Sequence, residues 1–136
     1  MSGEVQAELV RKELAALLAE GLGIPVAAFV PSTLRTASGY LEPLDPYQEF
    51  IGEPATFKRP VLRVKLVLVS PAVDWERAMP WIDRKVHELR VCLAPRALVG
   101  GALRPTLTTV RSLGVVDTKS LAFECALTPI HLGEIE

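Results

Sequence analysis

From Val5 to Glu20 the chain places Val5, Leu9, Val10, Leu14, Leu17 and Leu18 at helical spacing, with Glu8, Arg11, Lys12 and Glu13 largely off that stripe. This predicts an amphipathic helix. Ser2 offers an N-cap side chain, and Glu4 lies near the positive end of the helix dipole. Gly21 supplies a left-handed stop, and Gly23 with Pro25 prevents resumption. Val26 to Val30 is a short apolar run that reads as a strand, closed by Pro31 and Ser32.

No period is sustained from Ser32 to Arg59, where Gly39, Pro43, Pro46, Gly52 and Pro54 interrupt the pattern. Residues 32–59 therefore read as a long loop or protruding arm, with short extended pieces inside it. Val61 to Val69 is the clearest strand. Leu62, Val64, Leu66 and Leu68 form one apolar face; the other begins with Arg63 and Lys65 and turns apolar at Val67 and Val69. Such a strand is amphipathic at one end and buried on both faces at the other.

Asp74 is a good N-cap for a second helix reaching about Leu93, with Ala78, Ile82, Val86, Leu89 and Leu93 on one stripe. Pro80 predicts a kink or restart after a first turn at Trp75 to Met79. Thr106 to Leu113 and Ser120 to Leu127 then read as an antiparallel hairpin, turning over Gly114 to Lys119. Leu121, Phe123, Cys125 and Leu127 face the core. The order α-β-loop-β-α-β-β defines an α+β fold over residues 1–136, a single domain. Its sheet is four-stranded and mostly antiparallel, with both helices on one face. Leu14, Leu17, Leu66, Leu68, Ile82, Leu89, Phe123 and Leu127 are the expected core.

Composition narrows the classes. With 136 residues, 49% hydrophobic and 23% charged, the chain suits one globular domain. A net charge of -1 gives no strong positive field for nucleic acid. Two cysteines make no disulfide scaffold, and no apolar run approaches the length of a membrane span. The N-terminus lacks the pattern of a signal peptide, so a soluble protein of a reducing compartment is expected. Asn is absent and Arg outnumbers Lys two to one, a bias that a GC-rich genome produces.

Candidate chemistry is sparse. His87 has Asp83 four residues before it and no third ligand, and His131 is far away in sequence. Cys92 and Cys125 read as buried thiols, Cys92 at a helix C-terminus, which disfavours a thiolate. Glu42, Asp45, Glu49 and Glu53 read as solvated charges on the arm. The glycines match no nucleotide-binding pattern, and no nucleophile elbow is present. The expectation is a non-enzyme with no cofactor and no metal site. Arg63 and Lys65, with Arg111 if the strands pair, make a modest basic stripe, read either as a solvated face or as a contact for phosphate or an acidic partner. Tyr40, Tyr47, Phe50 and Phe57 give the arm contact area. They suit packing on a neighbouring subunit, or folding back onto the chain's own domain.

The order of elements also carries a resemblance. It runs through "VRKELAALLAEGL", "YLEPLDPYQEF", "VLRVKLVLVSP", "DWERAMPWIDRKVHEL" and "LAFECALTPI". Over nearly its whole length the chain resembles the tail terminator (tail completion) proteins of long-tailed bacteriophages. That resemblance implies a small α+β virion subunit forming a homo-hexameric ring. The ring would cap the head-proximal end of the tail tube, stop tube growth and meet the head–tail connector or stopper, having been assembled in the host cytoplasm. DNA would pass through the lumen without sequence-specific binding, and no membrane would be involved. It also implies that Tyr40, Tyr47, Phe50 and Phe57 contact a subunit or partner, and that Arg63, Lys65 and Arg111 face the lumen or an acidic partner. The alternatives are a head–tail stopper or connector, and a small-molecule-binding regulatory domain, which would show a concave apolar pocket.

Overall fold

The strand most legible in the sequence lies at the centre of the sheet. The computed structural model describes residues 5–51 and 59–132. In chain order these form α1 (Gln6–Leu22), β1 (Val26–Ala27), β2 (Ser38–Ile51), β3 (Arg59–Val69), α2 (Trp75–Leu93), β4 (Leu98–Val99), β5 (Ala102–Leu103), β6 (Leu107–Val116), β7 (Ser120–Leu127) and β8 (Ile130–His131). The main sheet runs β1-β2-β3-β7-β6, with β8 also on β3. Among the described residues only β1 with β2 is parallel. The fold is α+β, and its main sheet has six strands among the described residues rather than four.

The added length is mostly β2. Residues 38–51, expected within a loop, pair with β3 from Ser38↔Val69 to Ile51↔Arg59. The ladder breaks once: between Pro43↔Val64 and Gln48↔Leu62, β2 spends Leu44 to Tyr47 against Arg63 alone. This excursion takes Pro46 out of the ladder, where its missing N–H costs no sheet bond. It also shifts the alternation, so the two halves of β2 share no period that the sequence could display. Residues 52–58, also within the expected arm, lie outside the described residues.

Both helices cover one face. Val10, Leu14, Leu18 and Leu22 of α1 and Ala78, Ile82, Leu89 and Leu93 of α2 bury against Leu62, Val64, Leu66 and Leu68 of β3 and Leu121, Phe123, Cys125 and Leu127 of β7. Of the expected core, only Leu17 is incompletely buried, packed at the margin of this cluster.

Helix ends differ from expectation. Val5 sits at the N-cap of α1 without a side-chain cap bond, and Ser2 and Glu4 lie outside the described residues. The left-handed stop is Gly23 (φ 66°), whose N–H reaches the Ala19 carbonyl at 3.0 Å. Gly21 is inside the helix instead, where a Cβ would lie 2.7 Å from Cys92 Sγ; its bareness lets α1 and α2 approach. The last turn of α1 has no basic residue, and α2 supplies one: Lys85 Nζ donates to the Leu22 carbonyl at 2.6 Å and to Glu88 at 2.9 Å. Asp74 caps α2 by accepting from the Arg77 N–H. Pro80 neither breaks nor restarts α2, which runs unbroken from Trp75 to Leu93. The proline and Glu76, whose carbonyl would be its partner, are both exposed, so water can satisfy that carbonyl.

The β4–β5 hairpin is pinned to α1 through Gly100. Its N–H donates to Glu13 at 2.8 Å, and its carbonyl accepts from Gln6 at 3.2 Å. Gly100 has φ 58°, and a Cβ there would lie 2.7 Å from Val10 Cα. Gly100→Ala is therefore expected to cost about 2–4 kcal/mol in denaturant unfolding. Gly101→Ala should cost less, because its Cβ would meet only the movable Gln6 amide at 3.2 Å. Equal losses at the two positions would contradict the pinning of the hairpin to α1.

Candidate assembly surface

The face opposite the helices carries the charged residues of the sheet. Glu42 of β2 lies opposite Lys65 of β3, and Glu124 of β7 lies opposite Arg111 of β6. Lys65 Nζ is 2.6 Å from Glu124 Oε1 and 4.0 Å from Glu42 Oε2; Arg111 Nη2 is 3.2 Å from Glu124 Oε2. Arg63 pairs with Glu49. The three cations of the expected basic stripe are thus on one face, each with a carboxylate beside it. Across β2, β3, β7 and β6 the charge order is minus, plus, minus, plus.

Glu124 is the most enclosed member. The hydrogen bond from Lys65, then the fields of Lys65 and Arg111, hold its carboxyl below the usual range against the opposing effect of burial. The same hydrogen bond raises Lys65, with burial opposing it. Toward the other end of β3 this face turns apolar, as its alternation predicts: Val67, Val69 and Ala122 are buried. Thr33 to Thr36 lie beside Val69, Val116 and Ser120 around a cavity of about 350 Å³.

The aromatic residues do not converge. Tyr40 stands on the charged face opposite Val67, its phenol pushed up by burial and then by Glu42. Tyr47, on the excursion of β2, packs on the core, with the Arg11 guanidinium 5.7 Å from its ring centroid. Phe50, opposite Pro60, is 61% exposed on the helix side. Phe57 lies outside the described residues, as does Glu53.

Among the described residues the sheet has two open edges. β1 pairs with β2 only at Gly39 and Tyr40, leaving the outer side of β2 free beyond them. β6 pairs with β7 alone. It has register shifts between Leu107 and Thr109 and between Ser112 and Gly114. Leu107, Val110, Ser112 and Val115 consequently share the helix side, opposite Leu127, Cys125, Phe123 and Leu121. Val110 is 37% and Val115 55% exposed. Strict alternation puts Leu107 with Thr109 and Arg111, so sequence reasoning missed this apolar strip; the mixed Thr-rich composition of both faces was the available sign of an edge strand.

The remaining chemical candidates are dispersed. A groove of about 400 Å³ between α1 and α2 is lined by Leu17, Glu20, His87, Glu88, Val91 and Cys92 among others. Cys92 donates to the Leu17 carbonyl at 3.6 Å, and burial raises its thiol. Burial pushes Cys125 up to about 12. His87 and His131 are exposed, and no cluster of metal-ligating side chains occurs among the described residues. No helix among them is long and apolar enough to cross a membrane.

No protein-family model matches the chain, and no curated protein matches it. Among solved structures it is similar to a chain in the virion of a native gene transfer agent (GTA) particle. The TM-score is 0.54 with 14% identity, over 96% of each chain. This is a likeness of fold.

The Glu124 site gives a test with a defined sign. A depressed carboxyl contributes stability above its unfolded pKa and loses it as pH falls through the folded value. Glu124→Gln should lower stability by about 1–3 kcal/mol at neutral pH. The gap from the wild type should close as urea titrations move below about pH 4. A gap that stays constant into acid would show that Glu124 acts through packing alone.

Proposed function

We propose that the chain is a structural, non-enzymatic protein of a virion and, within it, the tail terminator. In this reading copies form a hexameric ring at the head-proximal end of the tail tube. The ring ends tube polymerisation and meets the head–tail connector on its other side. The observation that carries the virion reading is the fold likeness to a GTA virion chain over 96% of both chains. The finer assignment draws its support from the resemblance of the sequence to tail terminators.

The surface is consistent with such a part. A closed ring needs two different, mutually complementary surfaces on each copy, and among the described residues this sheet ends in two different open edges. Arg63, Lys65 and Arg111 face Glu49, Glu42 and Glu124. A lumen lined by that face would present alternating charge to passing DNA and hold it weakly, since binding scales with the phosphates that unpaired cations neutralise.

Deleting the gene in the cells that make the particle tests both levels. The expected result is headless tail tubes of irregular length. Tails of normal length beside leaking, filled heads would instead make the chain a stopper. Normal particles that lack the chain would overturn the virion reading.

A further inference from the structure

We propose that the β6 edge of one copy pairs antiparallel with the outer edge of β2 in a second copy, with Arg111 opposite Glu49 and Val110 opposite Phe50. The contact deepens the ring reading and rests on it only for closure of the chain of copies.

Strand direction allows the pairing. β2, β3, β7 and β6 alternate in direction, so β6 meets the next copy's β2 antiparallel if the sheets continue in the same orientation. Charge selects which edges join. With the order minus, plus, minus, plus across the four strands, β6 against β2 continues the alternation. Joining β6 to β6 or β2 to β2 brings like charges together. Arg111 is the most exposed of the paired cations on this face, its side chain 70% accessible, and Glu49 retains 41%.

One register satisfies both faces. Gln48 to Ile51 of β2 is regular, bounded by the excursion at Leu44 to Tyr47. Thr109 to Ser112 of β6 is regular, bounded by a register shift on each side. Setting Arg111 opposite Glu49 on the charged face sets Val110 opposite Phe50 on the helix side, where both are exposed. The other candidate, Arg111 opposite Glu42, would bring Gly114 onto Gly39, whose outer side β1 already occupies. β1 thus acts as a stop that leaves the far end of β2 for the neighbour.

Native mass spectrometry of single-edge variants tests this. Val110→Lys blocks the β6 edge and Phe50→Lys blocks the β2 edge, both at exposed positions. Wild type should form oligomers larger than dimers, and each variant alone should lose them. An equal mixture should give heterodimers and nothing larger, because one open edge of each kind remains. Wild-type oligomers persisting in either variant, or a mixture that stays monomeric, would overturn the contact; the virion reading would still stand, since the gene deletion tests it separately. A wild-type chain monomeric at about 1 mM would also overturn it. Should a variant fail to fold, amide exchange of the wild type decides. Residues 48–51 and 109–112 should slow at least about tenfold on assembly, and unchanged rates would refute the pairing.

Discussion

Strand β3 must be hydrogen-bonded on both edges and apolar on both faces at one end, and the other elements are arranged to meet that demand. β2 covers one edge from Arg59 to Val69 apart from the break at Arg63, while β7 and then β8 share the other. The helices bury Leu62, Val64, Leu66 and Leu68 on one side. On the opposite side, Val67 and Val69 lie buried in rows with Tyr40, Ser38, Glu124 and Ala122. Satisfying the centre leaves the sheet unfinished at its margins. Among the described residues two edges remain, and they differ in charge, in exposed apolar residues and in the interruptions that bound them.

That asymmetry connects the fold to assembly. Glu124 sits between Lys65 and Arg111, so three strands are tied by one enclosed carboxylate. The ladder ends in a cation at β6 and in carboxylates at β2. On the helix side, Trp75 of α2 meets Phe123 in a T-shaped contact, 6.0 Å between centroids, but Val110 and Val115 farther out stay partly open. An exposed edge with an apolar strip is a liability for a free monomer and an asset for a subunit. The register shifts in β6 interrupt the edge, restricting which strand can add and where.

Much of this was legible in the pattern of residues. The apolar period of α1 and α2, the two-sided end of β3 and the core-facing Leu121, Phe123, Cys125 and Leu127 predicted most of the observed burial; Val5 is exposed instead, and Ser120 and Ala122 are buried on the opposite face of the sheet. What escaped was every feature governed by an interruption. The excursion at Leu44 to Tyr47 split β2 into two halves with no shared period, so prolines that a bulge accommodates looked like breakers. The extra residues in β6 turned Val110 and Val115 to one side. Gly21 and Gly23 are indistinguishable as stop signals until Cys92 is placed against the first of them. For the charged face, single positions identified Arg63, Lys65 and Arg111. Their partners Glu49 and Glu124 were hidden because cross-strand neighbours depend on register, and register is set at the bulges.

The most direct test of assembly through sheet edges is a structure of the assembled copies at a resolution that traces strands. The expected map shows one sheet running from copy to copy, β6 antiparallel to the neighbour's β2, with the Arg111 guanidinium beside the neighbouring Glu49 carboxylate. Copies meeting through α1 or α2, with both sheet edges facing solvent, would contradict it.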